Sequence, residues 1–534
     1  MKRGYIKLLV AISASTVLSG PLMASEETVL RIGMTVSGIP QTTGQANQGG
    51  EGHRFVALQL YDALVAWDLR HSDEPAELVP GLAKSWEVDP DDPTRWLFTL
   101  REGVEFHDGS VFNADSVIWN FDKIFKEDAP QYDARQASQV LNRIPGVDSY
   151  EKIGEYKIAI TTPYPDSQLP YQLTWFMISS PAHFSEVGND WDAFAEQPSG
   201  TGPWTLDNIV SRQRVEMIRN ENYWDKERIP QTDRLILVPM PEPTTRTAAL
   251  LSGQVDWIEA PSPDSIPRLE SAGMQIVTNI YPHVWPWTFS HIEGSPWNDI
   301  NVRKAANLAI DREGLVEMLG GMAAPSYGQV PREHPWYGNP NFDIRYDPDE
   351  ARRLLAESGY SQSNPVNVTV LISPSGSGQM QPLPMNEYIQ ANLSEVGINV
   401  DYQVVEWTAL RNVSRVGAQA PESRGIHAFN HSYGTSSPFE AYTRFFHSAM
   451  VPPHGRNWGY TINNEIDELL DEVLVTFDPD EQAQLLARVN EILVDDAHWL
   501  WVVHDVSPRA LSPRVSGFIP PQSWYIDLTN VVVK

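Results

Sequence analysis

The chain has 534 residues, a formal net charge of −30 and no cysteine. So negative a surface repels phosphate backbones and anionic lipid headgroups, which argues against nucleic acid as a partner. Without a thiol, disulfides, thiolate metal sites, cysteine nucleophiles and a lipid-modified N-terminal cysteine are all excluded.

This length exceeds what one hydrophobic core serves, so two or three domains are expected. At the N-terminus, Lys2, Arg3 and Lys7 precede a mostly apolar run from Leu8 to Leu18. Small and turn residues follow as far as Ala24, which is the layout of a cleavable signal peptide over 1–24. Ser13, Ser15, Ser19, Gly20 and Pro21 make the run too short and too polar for a membrane span.

Strand-like and helix-like segments then alternate, the pattern of an α/β protein with helix-covered sheets. Leu30, Ile32, Met34 and Val36 alternate as one face of a strand, and Trp96, Phe98 and Leu100 repeat the pattern. Asn113 is placed to cap a helix whose apolar face is Val117, Ile118, Phe121, Ile124 and Phe125. His107 and Asp108 resemble an acid–base pair, but they lie in a tight turn before that cap, which predicts a structural role. Further strands are expected at Tyr156–Ile160, Arg214–Ile218, Arg234–Val238, Asn367–Ile372 and Asn399–Val405. Near residues 273–300 the chain becomes rich in aromatics and proline. There Tyr281-Pro282-His283-Val284-Trp285-Pro286-Trp287 could cross between lobes. Asp347-Pro348-Asp349-Glu350 and Asp478-Pro479-Asp480-Glu481 each predict an N-cap, a proline at the first helical position and a reciprocating glutamate. No Gly-x-Ser-x-Gly elbow or His-Glu-x-x-His helix occurs, and no carboxylate pair is singled out by spacing, which leaves a periplasmic hydrolase as the remote alternative from another class.

Four blocks, in order, carry a resemblance. The first runs from Leu78-Val79-Pro80-Gly81-Leu82-Ala83-Lys84-Ser85-Trp86 through Phe106-His107-Asp108-Gly109 to Asn113. The second is Pro198-Ser199-Gly200-Thr201-Gly202-Pro203-Trp204 with Asn220-Glu221-Asn222-Tyr223-Trp224. The third is Asn301 to Arg312, and the fourth Tyr346 to Leu355. Together they resemble the solute-binding proteins of ABC importers for peptides, nickel and opines, the extracellular solute-binding proteins of family 5.

The resemblance implies a two-lobed α/β periplasmic binding protein fold with an inserted subdomain in the first lobe. Lobe I would comprise 25–55, 201–283 and 505–534, the insert 56–200, and lobe II 284–504. It implies a monomer without cofactor that takes a small solute, a peptide-family ligand or an opine, to permease subunits in the inner membrane.

Peptide-binding members place an acid near the cleft, for the ligand's amino group. Here 425–439 contains none, unless Glu440 substitutes. The loop Ser373–Gln379, where a basic residue would meet the ligand carboxylate, is uncharged. Both departures suggest neutral hydrogen bonds and aromatic surfaces, so an oligosaccharide or a quaternary ammonium solute is the alternative.

The expected ligand-binding residues are Ser37 and Gly38 at the first strand's end, Trp285 and Trp287 by the crossover, Ser375, Trp407, and the alternating His427, Phe429, His431 and Tyr433. No metal is expected: His427 and His431 on a strand would stand roughly 13 Å apart, too far to share an ion.

Overall fold

A computed structural model describes residue 1 and residues 27–534 except 142, 375 and 377. The signal segment and Ser375 therefore lie outside the described residues. Two large mixed sheets form the body. In the first, the strand order is Gln275–Val277, Arg509–Leu511, Trp257–Glu259, Val29–Met34, Arg234–Pro239, Arg214–Arg219 and Trp204–Val210. The Val29–Met34 strand is central and parallel to both neighbours, and its Leu30, Ile32 and Met34 are fully buried, as their alternation requires.

The second sheet runs Ala323–Pro325, Trp499–Asp505, His283–Phe289, Ala428–Asn430, Val366–Ile372 and Ile398–Val404. Its two central strands, His283–Phe289 and Trp499–Asp505, are buried at every residue. A third, four-stranded sheet is formed by Ala83–Asp89, Asp92–Leu100, Lys157–Thr161 and Ser149–Gly154, with its own apolar core.

The chain crosses between the large sheets twice, after Val277 and after Asp505. The crossings lie side by side: Asn279 N donates to Val506 O at 3.0 Å. Tyr281 Oη donates to Asp505 Oδ2 at 3.0 Å. Beneath them, Arg54 and Arg509 both bond the Glu259 carboxylate, to which Trp257 Nε1 also donates.

Local signals read from the sequence form as elements. Asn113 Oδ1 accepts from Ser116 N at the head of the Ala114–Phe125 helix, and the reciprocal bond from Asn113 N to Ser116 Oγ completes the box. Asp347 caps Pro348–Glu357 and Asp478 caps Pro479–Asp495, each with proline in the first turn. The reciprocating glutamate bond is not formed at Asp347, because the Glu350 carboxylate is held by Arg353 at 2.7 Å. The His107–Asp108 turn is structural. His107 N donates to Gly200 O at 2.8 Å, His107 Nε2 bonds Gly202 O at 3.0 Å, and Asp108 pairs with Ser199. Two of the blocks behind the family resemblance are thus fastened to each other. At Gly202 an added Cβ would lie 2.5 Å from the Leu60 carbonyl carbon, so the close approach demands glycine.

The buried histidines set an acid limit on stability. Burial lowers His53 and His283 to about 3 and His504 to about 4. The unfolded chain takes up these protons near pH 6.5. The stability is therefore complete above that value and is lost as pH falls from 6.5 toward 4. At pH 5 each ring costs about 2 kcal/mol. Asp166, raised by burial to about 6, opposes the loss. The melting temperature is expected to fall between pH 6.5 and 5, with a shallower slope for His283→Asn. An unchanged slope in that variant would remove His283 from this account.

Candidate functional site

A cavity of about 200 Å³ opens between the two large sheets. The first crossing, Tyr281 to His283, lines it, together with stretches distant in sequence. Gly49 and Gly50 follow the central strand of the first sheet. Arg143 and Trp175 come from the region of the third sheet, and Ser523, Trp524 and Tyr525 from the C-terminal tail. The second sheet's side supplies Trp407, Arg411, Ser414, His431 to Gly434, Ser436, Glu440, Arg444 and Arg456.

One wall is a stack of three rings. The His431 ring lies 4.8 Å from Trp407 at 20° and 4.5 Å from Tyr433 at 24°. Trp407 opens the Trp407–Val416 helix, so Arg411 and Ser414 follow at i+4 and i+7 on the same face. Burial, then the nearby Arg411, pushes His431 well below its ordinary range, and the ring is neutral. Its Nδ1–H donates to Ser432 O at 2.6 Å, which leaves Nε2 as an acceptor.

The second feature is cationic. Arg143 lies over Trp175, 3.5 Å from the ring centre, and pairs with Glu440 at 3.6 Å. Arg411, Arg444 and Arg456 make no ion pair among the described residues. Arg456 N donates to Arg444 O at 2.8 Å, which holds these two residues side by side. Burial, then neighbouring arginines, lowers Arg411 and brings Arg456 to about 10; burial also lowers Arg444. Among the described residues, Glu440 is the only acid lining the cavity, and it also accepts from Ser436 Oγ at 3.0 Å.

The structure gathers Trp407, His431 and Tyr433 and places the other expected residues elsewhere. Trp285 and Trp287 are fully buried in the core of the second sheet. Their indole N–H groups donate to Gln379 O at 3.2 Å and Asn386 Oδ1 at 2.8 Å, so neither is free for a solute. Phe429 is buried behind the ring stack against Trp458, 4.9 Å away. His427 Nδ1 accepts from Thr369 N at 2.9 Å, away from the cavity. Ser37 is exposed and Gly38 half-buried, and neither lines the cavity. Of the loop that carries Ser375, Gly376 packs on Trp407: an added Cβ would lie 2.5 Å from its ring.

The four alternating residues do not form one continuous strand either. Pairing with His283–Phe289 stops after Asn430 and resumes at Tyr433, in the same register. The gap lies near Pro286, which has no N–H to donate to the ladder.

Sequence reasoning missed the four arginines, Trp175, Trp524 and Tyr525. The uncharged Ser373–Gln379 loop had suggested neutral recognition, but the charge arrives from other segments. A quaternary ammonium would have to enter among four guanidinium groups, so that alternative is not favoured. Among the described residues, no group of three or more His, Asp or Glu could hold a metal ion, and no helix is long and apolar enough to cross a membrane.

Two lobes joined by paired crossings, with a polar and aromatic cavity opening between them, have the architecture of a solute-binding protein. Residues 77–450 match the model of the bacterial extracellular solute-binding proteins, family 5, and the chain belongs to that family. It is the substrate-binding component of an ABC importer and not an enzyme. It is 27% identical over 489 residues to the heme-binding protein A of Haemophilus influenzae, covering 88% of this chain and 86% of that protein. It is 28% identical over 491 residues to the glutathione-binding protein GsiB of Escherichia coli K12, covering 88% and 90%. The structure of HbpA2 from Haemophilus parasuis superimposes with a TM-score of 0.80 at 21% identity, over 95% of this chain and all of that one.

Proposed function

We propose that the cavity between the sheets captures a small peptide-like solute carrying a carboxylate, with Trp407, His431 and Tyr433 as its aromatic wall. The observation that carries this reading is the presence in one cavity of an acid, Glu440, and three arginines, Arg411, Arg444 and Arg456, that make no ion pair among the described residues. Glu440 takes the place of the acid absent from 425–439 and receives the ligand's amino group. The arginines receive carboxylate, for which the guanidinium fork is suited. An opine, an amino acid derivative with added carboxylates, fits the same description. The relatives that bind glutathione and heme support it, since both compounds carry carboxylates.

In this reading residues 1–24 direct export to the periplasm. Lobe I comprises 25–55, 201–283 and 505–534, with 56–200 inserted, and lobe II spans 284–504. The strand membership of the two large sheets supports this division. The monomer closes on its solute and presents both lobes to the permease, so that binding is coupled to shape.

A thermal-shift screen of peptides, opines, oligosaccharides, betaines and Ni²⁺ tests the reading. A ligand at 100 times its Kd adds about 2.7 kcal/mol. A shift with peptides or opines, and recovery of the solute unchanged, is expected. A response confined to oligosaccharides or betaines would overturn it.

A further inference from the structure

The geometry points to a ligand with more than one net negative charge: an acidic peptide or peptide-like polycarboxylate, rather than an ordinary zwitterionic peptide. This deepens the reading above and rests on it. A neutral di- or tripeptide brings one ammonium and one carboxylate. The ammonium meets Glu440, and the carboxylate neutralises one of Arg411, Arg444 and Arg456. Two guanidinium groups would then stay unpaired in a site whose water the ligand has displaced. Leaving buried charges uncompensated is strongly unfavourable. Arg143 cannot relieve the imbalance, because it adds a fourth positive charge and is already paired with Glu440.

Beyond the effect of burial, the three charges stand close enough to lower one another's pKa, so each added carboxylate relieves a repulsion already present in the cavity. Arg411 comes from the Trp407–Val416 helix, Arg444 from the Arg444–Phe446 turn and Arg456 from the loop before Trp458. The aromatic surfaces of Trp407 and Trp524 then cover the parts of the ligand between its charges. The cationic cavity stands within a chain of net charge −30. The cluster is therefore a local device and not a consequence of composition.

The test is a calorimetric titration of the full chain with a ladder of tripeptides: Ala-Ala-Lys, Ala-Ala-Ala, Ala-Ala-Glu and Ala-Glu-Glu. Tricarballylate serves as a non-peptide trianion. Kd is expected to tighten about tenfold for each added carboxylate, with Ala-Ala-Lys the weakest. In Arg444→Met the ladder loses its last step: Ala-Glu-Glu weakens about tenfold, to the level of Ala-Ala-Glu, and Ala-Ala-Ala less than about threefold. The melting temperature of ligand-free Arg444→Met rises, because an uncompensated cation has been removed. Tripeptides that bind equally whatever their charge would overturn the inference and leave the peptide reading standing. Binding of tricarballylate alone would keep the polyanion and overturn the peptide reading. No response to any probe would overturn both.

Discussion

Replacing Glu259 by alanine is expected to destabilise the protein by about 3–5 kcal/mol. The side chains of Arg54, Glu259 and Arg509 are only 1–3% exposed. Burial alone would raise the Glu259 carboxyl, but Arg54 and Arg509 hold it below its ordinary range. Removing it strands two guanidinium groups in the interior, directly beneath the crossings. A loss of that size is a large share of the roughly 5–15 kcal/mol that holds a typical domain folded. The consequences extend to the site, since the Arg54 guanidinium lies 4.7 Å from the centre of the cavity-lining Trp524 ring. The triple variant Arg54→Met, Glu259→Met, Arg509→Met removes the three paired charges together and should cost less than Glu259→Ala alone. Denaturant midpoints measure both. A loss below about 1 kcal/mol in Glu259→Ala would show that the arginines find other partners.

Much of the fold could be read from the sequence because its signals are local. Asn113, Asp347 and Asp478 sit within a few residues of the N–H groups they satisfy, so capping needs no knowledge of distant chain. The strands at Arg214–Arg219, Arg234–Pro239 and Val366–Ile372 begin and end within a residue of their expected limits.

The site was legible only in part, for physical reasons. Trp407, His431 and Tyr433 follow strand ends near one another in the chain. Arg143, Arg411, Arg444 and Arg456 come together only through tertiary folding, and an isolated arginine in a sequence reads as solvated surface charge. Trp285 and Trp287 misled because an aromatic run beside a crossover suits a binding wall. In fact their strand is central and buried on both faces, so even its alternate residues face protein.

The second large effect concerns Gly434, and it tests the account's central claim, capture between the lobes, most directly. Gly434 lines the cavity opposite His283 in the strand ladder. A Cβ built there meets nothing within 4 Å, so a larger side chain at this edge of the cavity is accommodated without disturbing the fold. Gly434→Trp should fill the space beside the ring stack while leaving the melting temperature of the ligand-free protein close to that of the wild type. The measurement is calorimetric titration of wild type and Gly434→Trp with the tightest ligand found for the wild type. The account predicts that affinity falls at least 100-fold in Gly434→Trp. Binding with wild-type affinity in that variant would place the ligand elsewhere and contradict it.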